Sequence, residues 1–483
     1  MKVSELAAII PGAQISGPEK DIASLKMNSS DIQPGDAFIA LKGSITDGHN
    51  YIPDALKAGA GIIICNHEGC SADPGGTFIM VPDTKSALRT ILPVLYPHAA
   101  DVCLIGITGT NGKTTTTYLI ESVLKDAGMN PGVLGTINMR YADVTVASSI
   151  TTPGPIELFE RLETMSSAGV DACIMEVSSH ALHQDRLAGI RFDYGIFTNL
   201  SQDHLDYHRD MDTYFLAKKM LFDDYLEGVA IVNIDDPYGQ LLAQELKDPV
   251  TYGHDPLAMI RTTSLTHTSS GLRLDLATPD GPVSLSSFLL GDINAYNIMA
   301  SVALCRAMGI DMQSVISGIG SLKCVPGRME SVDNPYSLKV LVDYAHTPAA
   351  LETALASAKK LTKGRLIAVF GCGGDRDQAK RPIMGRIASH LADMVIVTSD
   401  NPRTEDPQAI IDDIFSGISK RTHIMMEPDR AAAIRLAVSS MEKDDCLIIA
   451  GKGHEDYQII GKVKKPFDDK LHVLESIEEI YQR

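Results

Sequence analysis

The sequence predicts an α/β protein of three domains with mostly parallel sheets. Three observations predict it. Short apolar runs alternate with longer segments of helical period. The chain has 483 residues, about three domains at ~150 residues each. One apolar run leads through a glycine-rich loop directly into a helical segment, as in a strand–loop–helix phosphate site.

The first domain is expected over residues 1–98, with buried strands at 61–65 and 78–81, and it closes at Tyr96-Pro97-His98. The second is expected over 99–325, with strands at 102–107, 171–177, 194–198 and 229–233. Its stretch 262–287 is Thr- and Ser-rich and alternating, with turns at Ser270-Gly271 and Asp280-Gly281, which reads as a small antiparallel insertion. Cys324-Val325-Pro326-Gly327-Arg328 marks the next boundary. The third domain, 326–483, is expected to hold strands at 339–342, 366–370, 394–398 and 446–450. Most strands from Val102 onward run into loops rich in Gly, Asp, Asn, Ser or His. Parallel sheets bind ligands at the carboxyl ends of their strands. The active site is therefore expected between the second and third domains.

Composition narrows the function. Hydrophobic residues are 44% and charged ones 22%, an ordinary globular mixture. Lys and Arg total 43 against 61 Asp and Glu, a net charge of -18, which argues against a nucleic-acid binder. Small anionic ligands stay open, because local groups hold them. The eight cysteines are scattered without a C-x-x-C pair, so reduced core thiols are expected. The N-terminus carries one Lys and a short apolar patch, too weak for a signal peptide, and no run reaches the ~18 apolar residues of a membrane span. A cytoplasmic monomer acting on small molecules is expected.

The phosphate loop is Thr108-Gly109-Thr110-Asn111-Gly112-Lys113-Thr114-Thr115, followed by a helix over 116–127. Backbone N–H groups of such a loop cradle phosphate oxygens; Lys113 would reach the β- and γ-phosphates and the Thr114 hydroxyl would ligate Mg²⁺. The usual spacing wants Gly at position 107, where this chain has Ile107. ATP binding is expected. A GTPase would need Asn-Lys-x-Asp, and no Asn-Lys dipeptide occurs. Glu176 ends a buried strand and is well placed to hold Mg²⁺, which prefers oxygen ligands; pairing with an Arg is the alternative. His204 and His208 stand four apart, as on one helix face, but Leu205 occupies the place of the zinc-protease Glu.

These motifs, with Ser178-Ser179-His180, Asn199 to His208 and Gly291-Asp292-Ile293-Asn294-Ala295-Tyr296-Asn297, resemble successive motifs of the Mur ligases, ATP-dependent amide-forming enzymes of peptidoglycan precursor synthesis. Val325 to Glu330, Val342-Asp343-Tyr344-Ala345-His346-Thr347-Pro348, Gly371 to Arg376, Asp400-Asn401-Pro402-Arg403 and Gly451-Lys452-Gly453-His454-Glu455 extend the match. The resemblance implies a UDP-sugar-binding α/β domain, a central P-loop ATPase-type domain and a Rossmann-like amino-acid domain, in that order. It implies that a D-glutamyl carboxylate of UDP-MurNAc-L-Ala-D-Glu is phosphorylated by ATP, and that the acyl phosphate is then attacked by an amine. Gly109 to Thr115, Asn294 and Asn297 would bind ATP, with Lys113, His204 and Lys218 catalytic. Thr114, Glu176, His204 and Lys218 would serve Mg²⁺, Lys218 through a carbamate derived from CO₂.

By the same resemblance, Ser29, Thr151, Thr152, Ser178, Gln184 and Arg186 would hold the UDP-muramoyl dipeptide. Family members usually carry Asp-Ser-Arg where this chain has Asn28-Ser29-Ser30. Arg376, Asp400, Asn401, Pro402, Arg403, Gly451 and Glu455 would hold the incoming amino acid. Members with Asp-Asn-Pro-Arg add meso-diaminopimelate, whose extra carboxylate suits a guanidinium fork. Addition of L-lysine, or a folylpolyglutamate-synthetase-like reaction, are the alternatives.

Overall fold

The computed structural model describes residues 1–43, 46–66, 76–268, 271–418 and 423–481. Cys70 and Ser270 lie outside them. Backbone packing divides the chain into two compact units: Met1–Gly106, Met129–Tyr194 and Met220–Gly228 form one, and Ile107–Gly128, Gly195–Lys219 and Val229–Arg483 the other.

The first unit contains a five-stranded sheet in the order Gln14–Ser16, Thr77–Val81, Ile62–Asn66, Ala37–Ile39, Leu25–Lys26. Only the first pair is antiparallel. Ile-Ile-Ile-Cys is buried on both faces, as its unbroken apolar run requires. Phe38, Ile52, Ile63 and Phe78 form the core. Farther along, Ala172–Glu176 pairs in parallel with Pro131–Leu134, and Asn138–Tyr141 and Val144–Ala147 continue that edge antiparallel. Helix Pro155–Ser167 buries Ile156, Phe159, Leu162 and Met165 and begins on a proline, whose missing N–H costs nothing at that position. Cys65 is disulfide-bonded, contrary to the expectation of reduced thiols throughout. Thiol pairing depends on how closely the chain brings two Cα atoms, which the absence of C-x-x-C does not measure. Cys103, Cys173, Cys305, Cys324, Cys372 and Cys446 are free.

In the second unit, helix Lys113–Asp126 starts three residues before the expected start, because Gly112 in the left-handed region caps it. Helices Ile293–Ala307 and Met312–Ser321 pack against it. The expected insertion is present as antiparallel strands Ile260–Thr268, Gly271–Thr278 and Gly281–Ser287. A six-stranded sheet follows, ordered Glu330–Ser331, Lys339–Asp343, Cys446–Ala450, Leu366–Phe370, Met394–Val397, His423–Met426. All pairs but the first are parallel. Strand Cys446–Ala450, the last of this sheet in the sequence, sits between two earlier ones, a topological switch that opens a crevice at the carboxyl ends. Apolar side chains cover both faces of this sheet.

Behind those carboxyl ends lies an ion pair that sequence reading missed. Arg430 and Asp469 are both wholly buried, with Nε and Nη2 donating to the two carboxylate oxygens at 2.7 and 2.8 Å. The guanidinium also donates to the carbonyls of Ser399 (3.3 Å) and Ala450 (3.2 Å), joining two strand ends. Asp469→Ala would leave a buried guanidinium without its counter-ion. It is expected to lower unfolding stability by about 3–5 kcal/mol. A shift in urea midpoint worth under about 1 kcal/mol, the value of an exposed pair, would refute this. Among the described residues, no helix is long and apolar enough to cross a membrane.

Candidate active site

The phosphate loop is shaped by contacts that allow only glycine at two positions. Gly109 has φ +143°, and a Cβ there would lie 1.8 Å from Thr198 Oγ1. Gly112 has φ +90°, and a Cβ there would lie 2.4 Å from Asn297 Oδ1. No side chain caps the helix that Gly112 begins, so its first N–H groups face the loop. The resulting cradle fits a phosphate. Thr198 Oγ1 donates to Asn111 O at 2.7 Å, Asn111 N–H donates to Asn199 Oδ1 at 3.0 Å, and Thr110 Oγ1 lies 3.2 Å from the Tyr214 hydroxyl. Lys113 Nζ curls over its own loop, donating to the carbonyls of Gly109 (2.8 Å) and Thr110 (2.9 Å). Thr114 and Thr115 are buried, and Thr114 Oγ1 accepts from Arg328 Nη2 at 3.1 Å. Asn297 Nδ2 donates to Asn294 Oδ1 at 2.8 Å, and Asn294 Nδ2 to Leu290 O at 2.7 Å. Both asparagines are buried, and Asn297 braces the loop from behind. Ile107, where the usual pattern has Gly, is a buried core residue of the preceding strand.

Lys218 and Lys219, adjacent in sequence, have opposite fates. Lys219 Nζ pairs with Glu245 at 2.9 Å. Lys218 is 1% exposed and its Nζ donates to Gly109 O at 2.9 Å, 4.7 Å from the Tyr214 ring centroid. Burial drives its pKa well below the ordinary lysine value, Lys113 adds to this, and Asp203 opposes it. A plain surface lysine, the reading its local sequence favours, is therefore excluded. A lowered pKa favours the neutral amine, the form that carbamylation requires.

His204 and His208 do not share a helix face. The helix is only Leu205–His208, and His204 precedes it at φ +54°. His208 is buried and stacks on Tyr214 at 5.0 Å, whereas the His204 ring is 44% exposed and lies 3.3 Å from Asp203. Burial works against the Asp203 carboxylate, yet His204, His346 and Lys380 together hold its pKa below the ordinary value. Asp203, Arg328, His346 and Lys380 thus join the second and third sequence segments, and no sequence signal had assigned them this role.

In the first unit, Glu176 is 1% exposed and accepts from the backbone N–H and the hydroxyl of Thr136, both at 2.9 Å. Thr136 Oγ1 is 3.1 Å from Thr151 Oγ1. Thr152 Oγ1 donates to Glu176 O at 2.8 Å and accepts from Ser178 N–H at 3.1 Å. Arg186 donates from Nε and Nη2 to Gln184 Oε1 at 3.0 and 2.6 Å, and from Nη1 to Thr152 O at 3.4 Å. Five of the six residues expected for the dipeptide are therefore tied to Glu176 through one hydrogen-bond network. The sixth, Ser29, opens the 3₁₀ turn Ser29–Asp31 beside the five-stranded sheet.

The crevice of the six-stranded sheet gathers the rest. Arg403, at φ +50°, donates from Nη1 to Gly374 O at 2.8 Å. Arg376 is exposed and donates to Asp375 O at 3.0 Å. Gly451 has φ +119°, and a Cβ there would stand 2.5 Å from Asp400 Oδ2. The hairpin Tyr457–Ile460/Val463–Pro466, also missed from sequence, holds the Asp400–Arg403 string in register. Gln458 Nε2 donates to Asp400 O (2.7 Å), Ile459 N–H to Asn401 Oδ1 (2.8 Å), Arg403 N–H to Ile459 O (3.1 Å) and Gly461 N–H to Arg403 O (2.7 Å). Pro402, next in the string, is buried. Glu455 Oε2 accepts from Asn401 Nδ2 and from Lys452 Nζ, both at 2.9 Å. Among the described residues, no group of three or more His, Cys, Asp or Glu closes around one metal position.

A glycine-shaped phosphate cradle beside a buried lysine, with a Rossmann-like crevice lined by Arg and Glu in the same unit, is the architecture of a P-loop α/β enzyme. Family models agree with the architecture, in chain order: "Mur ligase family, catalytic domain" matches 21–96, "Mur ligase middle domain" 107–305 and "Mur ligase, glutamate ligase domain" 327–453. The chain belongs to the Mur ligase family, with its three-domain α/β fold. It is 45% identical to the UDP-N-acetylmuramoyl-L-alanyl-D-glutamate--2,6-diaminopimelate ligase of Thermosynechococcus vestitus, over 98% of this chain and 96% of that one. The enzyme of the same name from Geobacter metallireducens is 43% identical over 99% of each. A solved structure of a ligase of that name superposes with TM-score 0.69 at 32% identity, covering 95% of both chains. A Mycobacterium tuberculosis folylpolyglutamate synthase complexed with ADP has TM-score 0.64 at 18% identity, covering 75% of this chain and 91% of that one; it shares the fold.

Proposed function

We propose that this chain is an ATP-dependent ligase that joins meso-diaminopimelate to the D-glutamyl carboxylate of UDP-N-acetylmuramoyl-L-alanyl-D-glutamate. The observation that carries the choice of amino acid is Arg403, fixed at the crevice by its own backbone and by Gly374 O. Near-full-length similarity to relatives named for the same reaction supports it.

The chemistry follows from the residues. A carboxylate and an amine do not condense in water unaided, so the carboxylate must first be activated by phosphoryl transfer. That transfer brings anions together, and positioned positive charge is its chief requirement. Lys113 and the N–H groups after Gly112 orient the ATP phosphates, and Arg328, held at Thr114, adds a second cation. Thr114, His204 and a carbamylated Lys218 would serve Mg²⁺, which neutralises phosphate charge when bound, and Glu176 is the carboxylate candidate of the first unit. Thr151, Thr152, Ser178, Gln184 and Arg186 present the dipeptide end, and Ser29 belongs to the uridine end. In the crevice Arg403 and Arg376 bind carboxylates while Glu455 binds the distal ammonium.

The test is phosphate release with ATP and the UDP-muramoyl dipeptide, comparing diaminopimelate with lysine. Release that depends on diaminopimelate and exceeds that with lysine at least ~100-fold in kcat/KM is expected, since lysine would leave Arg403 unpaired. Preference for lysine, or no dependence on either, refutes the assignment.

A further inference from the structure

Lysine is among the residues least often wholly buried, and it is buried only when paired. Lys452 is 0% exposed, in the loop that leaves strand Cys446–Ala450. It belongs to the string Gly451-Lys452-Gly453-His454-Glu455, in which only Gly451 and Glu455 have been given a role above. Its Nζ donates to Glu455 Oε2 at 2.9 Å and to Asn401 Oδ1 at 3.3 Å. Asn401 closes the triangle, donating from Nδ2 to the same Glu455 oxygen at 2.9 Å. Its Oδ1 also accepts from Ile459 N–H at 2.8 Å. The carboxamide cannot flip, because a flip would set its NH₂ group against both the Lys452 ammonium and the Ile459 N–H. Lys452 Nζ also lies 5.3 Å from the Tyr457 ring centroid.

We propose that Lys452 is a positioning residue of the amino-acid site: a counter-ion, behind Glu455, that keeps this carboxylate aimed for the ammonium of the incoming amino acid. Its burial keeps it from touching that substrate itself, so it acts through Glu455. The closed triangle with Asn401 fixes the Glu455 side chain before the substrate arrives, so binding loses less rotamer entropy. It also balances part of the Glu455 charge, which lowers the pull on simple cations and leaves selection to geometry and to Arg403.

The proposal rests on the assignment of Glu455 to the amino-acid site, and its test separates the two. Lys452→Met keeps the volume and removes the charge. The KM for diaminopimelate is expected to rise about tenfold or more, the value of a lost charge-assisted hydrogen bond. The KM values for ATP and for the UDP-muramoyl dipeptide should stay the same. Glu455→Gln raises the same KM, and adding Lys452→Met to it should raise it no further, because coupled residues do not add. An unchanged diaminopimelate KM in Lys452→Met, or full additivity in the double variant, overturns the proposal. If Lys452→Met does not fold by circular dichroism, the double variant, which removes both charges, is compared with Glu455→Gln alone: equal KM supports the positioning role and a further rise overturns it. A wild-type enzyme that releases phosphate independently of diaminopimelate sinks the functional assignment, and this inference with it.

Discussion

Lys218→Ala is expected to lower turnover by about 10³-fold or more, the scale seen when a preorganised electrostatic group is removed from a reacting centre. The side chain lies within 2.9 Å of the Gly109 carbonyl and out of water, so its loss alters the floor of the phosphate loop itself. Lys218→Arg should fail equally. A guanidinium keeps the charge but cannot take up CO₂ to become an oxygen ligand, so a residue needed only for its positive charge would be rescued by it. Carbon NMR with labelled bicarbonate should show a carbamate signal in the wild type and none in either variant. Full activity in Lys218→Ala would remove the carbamate from the mechanism. Lys219→Ala, whose side chain pairs with Glu245 away from the loop carbonyl, is the matching control.

Arg403→Ala is expected to reduce kcat/KM for diaminopimelate by about 10²–10³-fold, with no comparable gain for lysine. Nη1 anchors the guanidinium on Gly374 O, so the remaining N–H groups of the fork can present a fixed edge to a carboxylate. Arg403→Lys should not restore the loss, because an ammonium offers a point charge where a planar fork is needed. The kinetics with the two amino acids measure this directly. Unchanged diaminopimelate kinetics in Arg403→Ala would place amino-acid selection elsewhere in the crevice.

Much of this site was legible in the linear chain. The run into Gly109–Lys113 reads as a phosphate loop because the signal is contiguous: strand, glycines and helix start lie within a few residues. The strands at 366–370 and 446–450 were equally plain, since parallel strands buried on both faces must be apolar at every position. Asp400 to Arg403 and Gly451 to Glu455 were visible as polar loops after such strands. Their meeting across the topological switch follows once the strand order is known.

Other features were hidden for a common reason. Nothing in Ala217-Lys218-Lys219 says which lysine turns inward, because the deciding partner is a carbonyl 109 residues away. The left-handed backbone of His204 broke a helical spacing that looked sound on paper. Arg430 and Asp469 each open a helix, 39 residues apart in the chain, with no local signal that they pair, and Lys452 is hidden in the same way. The hairpin after Glu455 has its turn glycine, Gly461, but nothing local shows that its first strand sets the register of Asp400 to Arg403.

The sequence by itself therefore determined the fold class, the strand–loop–helix of the phosphate loop and the order of the segments. These depend on local backbone preference and on apolar periodicity, which act over a few neighbouring residues. Only the tertiary structure decided which lysine is buried, how Glu455 is held, which cations surround Asp203 and that Cys65 is not a free thiol. Burial and ion pairing depend on what distant segments place beside a side chain, and that information is absent from its neighbours in the chain.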